Sequence, residues 1–117
     1  MRIRFKLWIT DESGRVIIGK GGHQLLRKIE EKGSIAEAAR ELHLSYKFAW
    51  EYVRKVNERV GGLEPRKGGK GHGGTKLDER LSKLLEIYER AEREVQEVLA
   101  KYEKELNEVL GKGSTHT

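Results

Sequence analysis

Apolar residues recur at every second position near the start of the chain. Ile3, Phe5, Leu7 and Ile9 share one side, and Arg2, Arg4, Lys6 and Trp8 share the other. Period two is the mark of a half-buried strand. Asp11-Glu12-Ser13-Gly14 is turn chemistry, and Val16-Ile17-Ile18 supplies a second strand, so residues 2–18 are expected as a β-hairpin. Gly19-Lys20-Gly21-Gly22 breaks this pattern. The period then becomes helical. Residues 23–32 place Leu25, Leu26 and Ile29 inward, and Gly33 ends that helix.

Two further helical patterns follow, each opened by a serine. Ser34 can cap the first, with Glu37 completing a capping box, and Ile35, Ala38, Ala39 and Leu42 fall on one face. Ser45 can cap the second, where Ala49, Val53, Val56 and Val60 form the inward stripe and Gly61-Gly62 stops the helix. Short helices joined tightly through His43 and Leu44, with alanines where they cross, form a helix-turn-helix pattern. In that motif the second helix enters the DNA major groove.

Residues 63–76 read as two short strands around a glycine-rich tip, the wing of a winged helix. From Leu77 the apolar residues are spaced as a heptad repeat: Leu77, Leu81, Leu84, Tyr88, Ala91, Val95, Val98, Tyr102 and Val109, with Glu105 as a polar break. A helix of about 33 residues extends roughly 50 Å. That is too long to pack wholly on so small a domain, so this seam is expected to pair with a second copy. The expected fold is mainly α (α+β). An N-terminal β-hairpin (1–20) precedes a winged helix-turn-helix (21–76), a long dimerisation helix (77–110) and a disordered tail (111–117).

Charge sharpens the picture. Residues 1–76 carry 17 Lys+Arg and 9 Asp+Glu, whereas residues 77–117 carry 7 and 10. A basic front and a mildly acidic rear separate a polyanion-binding part from a non-binding part. There are no cysteines among the 117 residues, so neither disulfides nor thiolate metal sites arise. No apolar run reaches membrane-spanning length, and a cytoplasmic protein is expected. The abundance of Lys, Arg and Glu also suits a thermophile.

With Ala49 at the centre of the inward face, Lys47, Glu51, Arg54 and Glu58 point outward, flanked by Tyr46 and Trp50. Lys47 and Arg54 are candidate base or phosphate donors, and Glu51 can accept from a cytosine amino group or orient Arg54. Ser45 can reach a phosphate, and Ser34 joins the candidate set. Core packing is the competing role for Trp50. In the wing, Arg66, Lys67, Lys70, His72 and Lys76 are candidate phosphate or minor-groove contacts. Gly69-x-Gly71-x-x-Gly74 formally matches a dinucleotide fingerprint but lacks the preceding buried strand and βαβ context. His23, His43, His72 and His116 lie on separate elements without metal-ligand spacing. No nucleophile-base grouping suggests an enzyme. No metal, cofactor or small-molecule effector is expected.

Three segments together resemble the DNA-binding domain of ModE, the molybdate-responsive transcriptional regulators, and more distantly the LysR-type regulators. They are Gly33-Ser34-Ile35, Ala38-Ala39-x-Glu41-Leu42-x-Leu44-Ser45-Tyr46-Lys47-x-Ala49-Trp50, and Gly68-Gly69-Lys70-Gly71-x-Gly73-Gly74-x-x-Leu77. The likeness covers about residues 20–110. It implies a winged helix-turn-helix dimer on operator DNA, with Ser45, Tyr46 and Lys47 in the recognition helix and Lys70 in the wing. His72 stands where the family has a wing glycine, and Asp78-Glu79 where a Thr-containing helix start is usual. The family's molybdate-binding domain has no counterpart in this sequence. The leading hairpin looks like that of stand-alone archaeal relatives.

The reading is a sequence-specific, homodimeric transcriptional regulator bound to double-stranded DNA. Its rivals are a nucleoid-type architectural protein with little sequence preference, a nucleotide-binding protein using the glycine tip, and a protein-binding adaptor working through the long helix.

Overall fold

Leu25, Leu26 and Ile29 of the first helix meet Ala38, Ala39, Ala49, Val53 and Val56 of the next two in one buried cluster. Ile18, Leu63, Leu81, Leu85 and Tyr88 complete it from the flanking elements. The computed structural model describes residues 1–66 and 74–111. In chain order these form β1 (Ile9–Thr10), β2 (Val16–Ile18), α1 (Lys20–Lys32), α2 (Ile35–Glu41), α3 (Tyr46–Arg59), β3 (Leu63–Arg66), β4 (Gly74–Leu77) and α4 (Glu79–Val109). The fold is mainly helical, with two small antiparallel sheets, β1–β2 and β3–β4, and a long C-terminal helix.

The leading hairpin is much shorter than the alternation over residues 2–18 predicts. Only Ile9 and Thr10 pair, opposite Ile18 and Val16, with a register irregularity between them. The reason is that β2 has three residues before α1 begins, so residues 2–8 have no strand to pair with. They keep the alternation all the same. Ile3, Phe5 and Leu7 are half-buried and Arg2, Arg4, Lys6 and Trp8 exposed. The burying surface is α4: the Leu7 carbonyl accepts from the Tyr88 hydroxyl at 3.0 Å, and the Ile3 N–H donates to Glu103 at 2.8 Å. Asp11 closes the β1–β2 turn by accepting from the Ser13 hydroxyl (2.6 Å) and the Ser13 and Arg15 N–H groups (2.9 and 3.0 Å). The Ser13 hydroxyl and these N–H groups hold its carboxyl down at about 2.

Helix α1 starts at Lys20, three residues before the expected His23, and takes Gly21 and Gly22 into its first turn. The glycines look like breakers, but Gly22 serves packing. A Cβ there would lie 1.8 Å from the Tyr52 hydroxyl oxygen. Tyr52 fills that space and donates to the Ile17 carbonyl at 3.0 Å, which joins α3 to β2 over the start of α1. Burial raises the Tyr52 phenol to about 12.

The α2–α3 connection is a Schellman turn built on a non-glycine residue. His43 has φ 58°. Leu44 N–H returns to Ala39 O (2.8 Å) and His43 N–H to Arg40 O (3.2 Å), which satisfies the last carbonyls of α2. Ser34 and Ser45 cap α2 and α3, accepting from the N–H groups of Glu37 and Phe48.

The β3–β4 ladder runs Leu63↔Leu77 to Arg66↔Gly74. It is tied to the α1–α2 junction by Thr75 N–H to Gly33 O at 3.0 Å. Gly62, at φ 97°, lets the chain pass α4 where a Cβ would come within 2.7 Å of the Leu81 Cβ. Asp78 then caps α4, accepting from Leu81 N–H at 2.8 Å.

Helix α4 is clamped to α1 by a bidentate pair. Arg27 donates from Nε and Nη2 to the two oxygens of Glu89, at 2.7 and 3.0 Å. His23 Nε2 lies 2.5 Å from the same carboxylate and its ring stacks on Tyr88 with 5.2 Å between centroids. The Arg27 guanidinium, with His23, holds the Glu89 carboxyl down at about 2, and Glu89 in turn raises Arg27 above the ordinary arginine value.

Candidate nucleic-acid interface

The sequence of α3 sorts its side chains into an inner row and an outer ridge. Ala49, Val53 and Val56 are buried, so a 100° step per residue puts Lys47, Glu51, Arg54 and Glu58 opposite them. Lys47, Arg54 and Glu58 are exposed and Glu51 is half-exposed. Arg54 lies between two carboxylates of its own helix, donating to Glu58 at 2.7 Å and to Glu51 at 2.9 Å. Its guanidinium carbon is 6.0 Å from the centroid of Trp50. The Glu51 hydrogen bond, with the charge of Glu58, raises Arg54 above the usual arginine range.

The ridge therefore carries two cations and two carboxylates and has little net charge. It is better suited to reading donors and acceptors on base edges than to holding phosphates by charge alone. Glu51 matters twice: it orients Arg54, and it is itself an acceptor on the outward face.

Exposed aromatics flank the ridge. Tyr46 is 55% exposed and Trp50 43%, so neither belongs to the core. Phe48, at 57%, is equally open, although the sequence reading did not single it out. It lies on the far flank of α3 from Trp50, a position the helical period could have revealed. Lys55 and Arg59 were also passed over; both are exposed, and Arg59 donates to the Val16 carbonyl at 2.9 Å. Tyr46 and Trp50 on one flank and Phe48 on the other thus bracket the charged ridge with open aromatic surface.

The other expected contacts are distributed as follows. Ser45 is exposed at the start of α3 and Ser34 half-exposed at the start of α2, each holding a backbone N–H. Lys76 projects from β4 beside its cross-strand neighbour Glu64, 3.8 Å away. Arg66 closes β3 opposite Gly74. Lys67, Lys70 and His72 lie outside the described residues, as does His116.

Leu77, expected to open the long helix, is instead the last residue of β4, paired with Leu63, and the other heptad positions split between two faces of α4. Leu81 and Tyr88 are buried in the chain's own core together with Leu85, which the heptad spacing leaves out. Leu77, Leu84, Ala91 and Val95 are half-buried. Val98, Tyr102 and Val109 are open at 48%, 54% and 84%, and Ile87 joins them at 55%. An apolar stripe thus runs along the outer side of α4, about a quarter-turn from the side that packs on the core. Among the described residues no three His, Cys, Asp or Glu side chains group to hold a metal ion. No described helix is long and apolar enough to cross a membrane.

No protein-family model matches the chain. Individual proteins do. It is 40% identical over 85 residues to the "Molybdenum-pterin-binding protein MopB" of Rhodobacter capsulatus, covering 71% of this chain and 32% of that protein. It is 39% identical over 72 residues to the "Transcriptional regulator ModE" of Haemophilus influenzae, covering 60% and 28%. Over 67 residues it is 34% identical to the "DNA-binding transcriptional dual regulator ModE" of Escherichia coli, covering 56% and 26%. Over these stretches the chain is ModE-related. It spans about a third of the length of these relatives, or less. The names given to the ModE proteins are those of regulators rather than of enzymes.

Proposed function

We propose that this chain is a winged helix-turn-helix transcriptional regulator that binds operator DNA as a homodimer. Helix α3 is the recognition helix, set in the major groove from its Ser45 end, and the β3–β4 hairpin with its glycine-rich loop is the wing. The observation that carries this reading is the outer face of α3. Lys47, Glu51 and Arg54 form a ridge of donors and acceptors between exposed aromatics, on a helix held from behind by α2 and a serine-capped turn. The likeness to proteins named as DNA-binding regulators supports the same conclusion.

The outer stripe of α4 supports the dimer. Ile87, Val98, Tyr102 and Val109 leave apolar surface open on a helix whose inner side is already used, and a second α4 would cover it. Two copies would then meet a pseudo-palindromic site, with half-sites about one helical turn, or a multiple of it, apart.

Selection of bound fragments from genomic DNA, read by sequencing, tests the whole reading. A palindromic consensus is expected. Recovery of fragments without a shared motif would replace it with an architectural role, and failure to retain DNA at low salt would end it. On the selected site the affinity should fall steeply with salt, because each neutralised phosphate releases counterions.

A further inference from the structure

Residues 2–8 have the alternation of a strand with no strand beside them. The segment is pinned to α4 at separated points: the N-terminal amine to Asn107 at 2.9 Å, Ile3 N–H to Glu103, and Tyr88 to the Leu7 carbonyl. Among the described residues, no backbone group of residues 2–6 bonds to another backbone group. An extended edge with free N–H and C=O groups is a template for a further strand.

Room for such a strand exists. A cleft of about 580 Å³ is lined by the whole of residues 2–8 and by α4, with Leu99 and Ala100 among its apolar lining. Arg2, Arg4, Lys6 and Lys20 also line it. Arg2 is 3.7 Å from Glu103 and its side chain is 80% exposed. Among the described residues Arg4, Lys6 and Lys20 have no ion-pair partner. Glu92 and Glu103 line it too, so the cleft combines an open backbone edge, an apolar patch and a rim on which four cations outnumber two carboxylates.

We propose that this cleft is a docking site for an extended acidic segment of a partner protein, which adds as a second strand beside residues 2–8. Main-chain bonds would supply affinity and alternate side chains specificity. Carboxylates on one side of the incoming strand would face Arg4 and Lys6, and small apolar residues on the other would sit over Leu99 and Ala100. A second copy of this chain fits less well. Antiparallel pairing of two identical segments centred on Phe5 sets Arg4 opposite Lys6, and like charges directly across a ladder are destabilising. A nucleic-acid backbone would use the cations but leave both the strand edge and the apolar patch unused.

The test uses the full chain with Trp50→Phe, so that Trp8 on the cleft lining reports by fluorescence. The probe is a short peptide alternating valine and glutamate. Saturable binding is expected, with none for the lysine counterpart. Arg4→Glu with Lys6→Glu should weaken it about tenfold or more, while circular dichroism and the melting temperature stay unchanged. Methylating alternate backbone nitrogens of the peptide, on the bonding edge, should abolish binding, which attraction by charge alone would not do. Equal binding of the lysine or the methylated peptide, or no binding at all, overturns the proposal. Duplex DNA protecting Arg4 and Lys6 where the peptide does not would make the strip a nucleic-acid contact instead. Protection of residues 2–8 that rises with protein concentration alone would give the edge to a second copy.

Discussion

The Tyr52 hydroxyl rests over Gly22, so close that a Cβ on Gly22 would lie 1.8 Å from its oxygen. That contact limits what α1 can carry where it faces the candidate recognition helix, and the bond to Ile17 ties β2 to the same tyrosine. Gly22→Ala should therefore destabilise the fold by about 1–3 kcal/mol, the usual range for overpacking. Urea unfolding checks this. The new methyl strikes both the hydroxyl oxygen and the ring carbon Cζ, 2.4 Å away, so Gly22→Ala with Tyr52→Ala should cost less than the two single changes summed, whereas Tyr52→Phe, which keeps Cζ, should recover little.

Glu89 makes the α1–α4 clamp sensitive to acid. Its folded-state value is about 2 against an ordinary 4.5, so the charged form is favoured by folding. The contribution is fully present above about pH 4.5 and is lost as pH falls towards 2. For a part-exposed pair, we expect roughly 1–2 kcal/mol. Asp11 titrates over the same range, so the informative quantity is a difference: Glu89→Gln should flatten the stability–pH curve of the parent protein between about pH 4.5 and 2.

Lys47→Ala with Arg54→Ala should weaken binding to the selected site about 10- to 100-fold, the size expected for lost base contacts. Binding to bulk DNA should change much less. Glu51→Gln should shift base preference rather than simply weaken binding, because it loosens Arg54 and alters an acceptor on the same ridge. Selection with each variant reads both effects.

His43 adopts a backbone conformation that suits glycine, at φ 58°. Its side chain is exposed, so replacing it removes little packing. His43→Gly should stabilise the fold by about 0.5–1 kcal/mol, measured as a higher denaturant midpoint with an unchanged slope.

Val98→Asp tests the outer stripe of α4. Val98 is 48% exposed within a single chain, so the variant should fold normally. If the stripe joins two copies, light scattering should show a mass near that of one chain, and affinity for a two-half-site operator should drop more than affinity for one half-site.

Much of this architecture was legible because local rules and tertiary packing agree. Ser34 and Ser45 do cap the helices they precede, and Ala49, Val53 and Val56 do face inward. Val60 is only half-buried because it lies at the end of α3. The rest depended on distant partners. Residues 2–8 look like a strand because an apolar surface faces them, and period two does not say whether that surface is a strand or a helix. Gly21 and Gly22 read as a break because nothing local announces that Tyr52 needs the space. The heptad spacing recorded that α4 is apolar on one broad side, but not that Leu81 and Tyr88 are used within the chain while Val98 and Tyr102 stay open. On α3, Phe48 lies on the flank away from Tyr46 and Trp50, and no local signal distinguishes an aromatic left open there from one that packs on a neighbouring element.

The two faces of α4 restrict how this helix can change length. Residues 1–7 hold it at Tyr88, Glu103 and Asn107 on one side, while Ile87, Val98 and Tyr102 look outward on the other. Inserting a single residue near Ala91 would turn everything beyond it by about 100°, swinging Val98 out of line with Ile87 and Glu103 away from Ile3. Insertions of seven or eleven residues restore the angle but carry Glu103 and Asn107 about 10 Å or more along the axis, so they keep the outer stripe in line and still lose the ties to residues 1–3. Descendants of this sequence are therefore expected to change the length of α4 beyond Asn107 rather than between Tyr88 and Glu103.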